Sequence, residues 1–244
     1  MCNFVSALVL RNGDVLTHPM LDSHVDLVSH FKLPDHSEYI QHFVRVELVP
    51  GADAWLTPEK WKWTVDESSP PAWWPDVASA AEGTLRARVR SWIMTSGQAS
   101  LATEDVRILG GTAVLDKVSA GRVIHMSGNG QVHDVYGSGQ VHCVSGDGQV
   151  HNVYGNGKVH RVYGSGQVHR VSGDGQVHYV YGNGKVHRVY DSGQVHRVYG
   201  NGQVHRVYGN GKVHRVYDSG QVHYVYGNGQ VHRVSGSGQV HRHA

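Results

Sequence analysis

Histidine stands at every ninth position from His133 to His241, and arginine follows it directly at 161, 170, 188, 197, 206, 215, 233 and 242. A neutral imidazole can donate, accept, take up a proton or ligate a transition metal. A guanidinium pairs with carboxylate or phosphate through a planar fork of donors. If the nonapeptides stack, the thirteen histidines form a ladder at the strand spacing of about 4.8 Å. Such a ladder hydrogen-bonds along itself or holds a transition metal, with His160, His169, His178, His187, His196 and His205 as its central candidates. Arg161, Arg170, Arg188, Arg197, Arg206, Arg215 and Arg233, with Lys158, Lys185 and Lys212 and interleaved tyrosines, would form a regular cationic surface. Cations and aromatics at regular spacing suit an extended polyanion such as nucleic acid. The competing account is that the arginines keep the repeat soluble and block stacking.

Other chemistry is thinner. Cys2 follows Met1, and loss of that methionine would give an N-terminal thiol with its own amine as base, the arrangement of N-terminal nucleophile hydrolases. Asn3 and an apolar strand follow where those enzymes usually carry glycine, and no oxyanion motif is visible. His18, His24, His30, His36 and His42 recur every six residues, a step that matches neither a helix face nor a compact metal motif, so they read as surface or capping residues. Calcium-binding nonapeptides need an aspartate where this repeat carries histidine, which excludes that site. No cofactor is expected.

These residues ride on thirteen uninterrupted units of the form G-(N/S/D)-G-(Q/K)-V-H-x-V-(Y/S), from Gly128 to Ala244. Two glycines per unit and β-branched valines argue against helix, and a period of nine is too short for helical repeats. A β-solenoid remains, with Gly-x-Gly turning the chain and Gln-Val-His-x-Val-Tyr pairing with its equivalents above and below. The two valines are three apart, so strict alternation would place them on opposite faces. A bend at His-x would bring both inward and leave the variable x outside. Serine at 138, 165, 192 and 219 and lysine at 158, 185 and 212 add a period of 27. Either the coil has three sides and 27 residues, or a 27-residue block was duplicated and the coil has two sides and 18. The last strand offers an unpaired edge, through which copies could associate.

Ahead of the repeat, the pattern reads as α+β. Phe4 to Leu10, Asn12-Gly13 and Asp14 to Leu16 predict a hairpin on a type I′ turn. Asp22 or Ser23 caps a helix with Val25, Val28 and Phe31 or Lys32 on one face, ending before Pro34. His42 to Val49 and Trp61 to Val65 predict strands, and Asp76 caps a helix whose Val77, Ala81, Leu85, Val89 and Trp92 form an apolar stripe across a small sheet. The expected fold is an α+β N-terminal domain (1–105), degenerate capping repeats (106–127) and an all-β C-terminal solenoid of nonapeptide repeats (128–244).

Composition divides at the same place. All six Trp precede position 93, while eleven of twelve Tyr and fourteen of twenty His follow 127, and the net charge is −4 before and +6 after residue 127. Two cysteines make no disulfide framework and read as free thiols. No apolar run reaches the roughly 18 to 20 residues that span a bilayer, and the N-terminus lacks the order of a secretory signal. A soluble protein of the bacterial cytoplasm, without membrane contact, is the expectation.

Met1-Cys-Asn-Phe-Val-Ser-Ala7, Asp22-Ser23-His24, Phe43-Val-Arg-Val-Glu47, Val65-Asp66-Glu67 with Pro71 and Trp73-Trp74, and the Val-rich nonapeptides together resemble uncharacterised proteins of actinobacterial phages and their hosts. The resemblance implies a small α+β domain fused to a variable β-solenoid, in a viral or mobile-element setting, and brings no catalytic residue. The expected function is therefore a non-enzymatic binding protein presenting a rigid cationic surface to nucleic acid or a host protein. A self-assembling structural protein and a Cys2 hydrolase are the alternatives.

Overall fold

The structure, a computed structural model, describes residues 4–34, 42–51, 54–102 and 104–242, so Cys2 and His36 lie outside the described residues. The chain forms two compact units, residues 1–93 and 94–244.

In the first unit, β1 (Val5–Leu10), β2 (Val15–Leu16), β3 (Phe43–Val49) and β4 (Lys62–Val65) form an antiparallel sheet in the order β2-β1-β3-β4. The hairpin is present but its turn differs from expectation. Gly13 N–H donates to Leu10 C=O, and Gly13 (φ 87°) rather than Asn12 takes the left-handed conformation. A type I′ turn needs positive φ at both central residues; here Asn12 instead accepts from the Asp14 N–H at 3.0 Å and holds a wider turn. Helix α1 (His24–His30) is capped by Ser23, whose side chain accepts from Asp26 N–H. It buries Leu27 and Val28, whereas Val25, expected on that face, is 69% exposed. Helix α2 (Trp74–Ser91) starts two residues before Asp76, which lies in the first turn and does not cap it. Of the expected stripe, Ala81, Leu85 and Val89 are buried and Val77 and Trp92 only partly so, while Trp74 is buried in addition.

The second unit is a parallel β-solenoid. It opens with β5 (Ile93–Met94), β6 (Gln98–Leu101), β7 (Asp105–Leu109), β8 (Val114–Val118) and β9 (Arg122–Met126), and continues at nine-residue spacing from β10 (Gln131–Val135) to β22 (Gln239–Arg242). Solenoid strands thus begin ahead of residue 105, where the sequence boundary was drawn, because the early coils have lost the repeat's wording but kept its strand pairing. Even-numbered strands from β6 to β22 form one nine-stranded sheet and odd-numbered strands from β5 to β21 the other. Gln131 pairs with Gln149 and Gln140 with Lys158, a step of 18. The coil therefore has two sides, and the 27-residue period is a feature of the sequence alone.

The bend at His-x is present. Register runs Gln167↔Lys185, Val168↔Val186, Arg170↔Arg188, Val171↔Val189, skipping the histidine. Both valines of a strand consequently face inward, and from Val132 to Val216 every one of them is 0% exposed. Each buried valine contributes about 1.5–3 kcal/mol, repeated coil after coil in a core of one residue type. At the corners, the first glycine has positive φ, as at Gly155 (56°), and the second N–H closes the turn, as Gly157 N–H does on Tyr154 C=O at 3.0 Å.

Candidate functional site

Two sides per coil split every repeat feature in two. The expected single ladder of thirteen histidines is two: His133, His151, His169, His187, His205, His223 and His241 lie on even strands, and His142, His160, His178, His196, His214 and His232 on odd ones. Ring centroids are 4.6 Å apart for His142–His160 and 5.2 Å for His205–His223. The metal candidates alternate between faces, His169, His187 and His205 on one and His160, His178 and His196 on the other.

The cations divide in the same way. Arg170, Arg188, Arg206 and Lys185 belong to even strands; Arg161, Arg197, Arg215, Arg233, Lys158 and Lys212 belong to odd ones. On the even face, the imidazoles from His133 to His223 and the neighbouring column Asn152, Arg170, Arg188, Arg206 and Tyr224 line a groove of about 780 Å³. Its lining holds no carboxylate. On the odd face, Arg197, Arg215 and Arg233 line a smaller depression of about 250 Å³. Histidine and x both turn outward at the bend, so they stand side by side as two columns along the solenoid.

Four of the groove's histidines, His151, His169, His187 and His205, are held neutral. Burial, reinforced by His205, His169, Lys185 and Arg188, lowers His187 to about 4, and burial lowers His151, His169 and His205 as well. Glutamines of the preceding coil anchor two of the rings: Gln149 Oε1 lies 3.3 Å from His169 Nε2, and Gln167 Oε1 lies 2.9 Å from His187 Nε2. A neutral imidazole with Nε2–H satisfies that contact. Along these four coils the floor is therefore polar and uncharged at neutral pH, and the arginines supply the permanent charge.

Tyr179 and Tyr224 interleave with the arginines, whereas most tyrosines lie outside the cation columns. They stack on one another at the corners, with Tyr199 and Tyr217 at 5.2 Å and 0° and Tyr163 and Tyr181 at 5.2 Å and 9°. Faces already spent on a neighbouring ring are closed to a nucleobase. Arg197 lies over Tyr179 at 5.3 Å, on the odd face.

Cys143, at an x position of an odd strand, is a buried free thiol whose pKa burial raises. Sequence reasoning missed one grouping entirely. His24, Glu47 and Asp66 bring their ligand atoms within 4.8 Å of one another, although His24 reads in the sequence as a surface or capping residue. It is the first residue of α1, yet its side chain is only 10% exposed. Positions 24, 47 and 66 share no spacing signal, because β3–β4 pairing and the contact of α1 with β3 bring them together. No helix among the described residues is long and apolar enough to cross a membrane. No protein-family model, curated protein or solved structure matches the chain.

Proposed function

We propose that the protein is a non-enzymatic binding protein whose even-strand face takes up an extended polyanion, single-stranded nucleic acid above all. The observation that supports this reading is the groove in which Arg170, Arg188 and Arg206 stand in consecutive coils beside a neutral imidazole floor, with no carboxylate in the lining. Among the described residues, none of these three arginines lies within ion-pair distance of an acid, in contrast to Arg122, which holds Asp105 at 2.8 Å.

The spacing favours a flexible strand over a duplex. Charges repeat from coil to coil on one face about 4.8 Å apart, whereas phosphates of B-form DNA advance about 3.4 Å per step and wind around an axis. An unpaired strand can stretch to the ladder. With the tyrosine faces stacked on each other, recognition rests on phosphate charge more than on base stacking.

The two faces provide an internal control. R188E/R206E and R197E/R215E change the net charge equally, but only the first pair alters the groove. Fluorescence anisotropy with a labelled single-stranded oligonucleotide at low salt should show weakened binding for R188E/R206E and nearly unaltered binding for R197E/R215E. Equal loss in both would reduce the effect to net charge. No binding of either nucleic acid form by the unmodified chain, with capture of an acidic protein through the same arginines, would move the partner to protein.

A further inference from the structure

In the first unit, three elements converge on one point. His24 opens α1, Glu47 lies in the middle of β3, and Asp66 follows the last residue of β4 directly. Asp66 is fixed there by its backbone, whose N–H donates to Arg45 C=O at 2.8 Å. The imidazole of His24 is only 10% exposed, and its Nε2 lies 3.1 Å from Val46 C=O. A carbonyl accepts only, so Nε2 carries a proton and the neutral ring has its lone pair on Nδ1. That Nδ1 lies 3.4 Å from Asp66 Oδ2. Glu47 completes the group, with all ligand atoms within 4.8 Å of one another.

We infer that His24, Glu47 and Asp66 form a binding site for a divalent first-row metal ion, held by one imidazole nitrogen and two carboxylates with positions left for water. A ring nitrogen fixed in its tautomer by a backbone carbonyl is how metal-ligating histidines are usually oriented. Two carboxylates and an imidazole suit the harder ions of the series, manganese among them. The adjacent acid, Glu67, is occupied by Arg45 at 3.0 Å and does not compete. Asp66, 60% exposed, is the ligand free to swing and close the last fraction of an ångström. The simpler alternative is an imidazolium donating from both nitrogens, to Val46 C=O and to Asp66.

Mn²⁺ is the appropriate probe, because imidazole ladders hold it least among the divalent ions of the series. Titrating the full chain with Mn²⁺ and reading free ion by electron paramagnetic resonance should show one ion bound per chain. D66N, at an exposed position that leaves the fold intact, and E47Q should each weaken binding by about tenfold or more. H160Q/H178Q, in the solenoid, should leave it unchanged. In the unmodified chain Mn²⁺ should also broaden the His24 ring resonances selectively. Absence of uptake, or uptake insensitive to both D66N and E47Q, would overturn the site and leave His24 as an ion-paired imidazolium.

Discussion

Nδ1 of His178 lies 3.1 Å from Nδ1 of His160 in the preceding coil, so one ring must present a proton and the other a lone pair. His160 Nε2 lies 3.2 Å from Gln140 Oε1, which assigns the proton of His160 to Nε2 and makes its Nδ1 the acceptor. A second proton on His160 would set N–H against N–H. The contact between the two rings is thus a hydrogen bond only while Nδ1 of His160 is unprotonated.

That relationship sets a pH dependence of stability. Burial, with His142, Lys158 and Arg161 nearby, lowers His160 to about 4, and His187 on the other face is lowered to about 4 as well. The unfolded chain, with ordinary values near 6.5, takes up protons first as pH falls. Stability should therefore be complete above about 6.5 and decline progressively toward about 4. Composition alone would place the change between about pH 7 and 5; burial moves it lower. Melting temperature against pH checks this, and H160Q/H178Q/H187Q should flatten the curve. A melting temperature constant from 6.5 down to 4 would contradict it.

The salt response of the groove follows from its charge count. Three guanidiniums, Arg170, Arg188 and Arg206, engaging one phosphate each on a single strand should give a slope of log K against log salt of about −2, at about −0.7 per contact. R188E/R206E should bring the slope close to zero, whereas R197E/R215E should leave it near the original value. A slope unaffected by groove substitutions would place the contacts elsewhere.

The histidine and cation ladders were legible as columns in the sequence, but their division between faces was not. Three nonapeptides make the 27-residue period and two make the coil, so Lys158, Lys185 and Lys212 fall on odd, even and odd strands in turn. A duplication length carries no information about how many sides close a coil; that depends on valines packing across two sheets. The inward turn of both valines was legible, because the variable x position between them tolerates Asp134, Asn152, Tyr179 and Arg188 and so must be outside. Cys143 departs from the rule: it is 7% exposed, in the column that also holds the buried His125, where the early coils close over x. His24, Glu47 and Asp66 lay beyond sequence reasoning, since helix and strand register join them without a motif.

Burial differences along the valine columns give a graded stability test. Val189 is fully buried in mid-solenoid, whereas Val234, at the equivalent position of a later strand, is 44% exposed. V189A removes two buried methyl groups and leaves a cavity, so it should cost about 2 kcal/mol. V234A should stay within about 0.5 kcal/mol. Urea denaturation of both variants measures the contrast, and equal costs would contradict a core of inward-facing valines.

The corners separate two demands that glycine meets in one repeat. At Gly157 the demand is space: a Cβ there would lie 2.2 Å from Val135 O, a backbone atom of the preceding coil that has no rotamer by which to move. At the first position of the turn the demand is conformation, and Asp191 and Asp218 meet it without glycine, both at φ 53°. Aspartate tolerates the left-handed region far better than a β-branched residue does. G157A should therefore destabilise by about 1–3 kcal/mol through the shift it forces on the neighbouring coil. D191V should cost about 1–2 kcal/mol through backbone strain. D191G relieves strain but frees the unfolded chain, two effects of about 1 kcal/mol or less that oppose each other, so it should be nearly neutral. Denaturation midpoints of the three variants decide the matter: a G157A as benign as D191G would show that the coils are not in the close backbone contact seen at Val135.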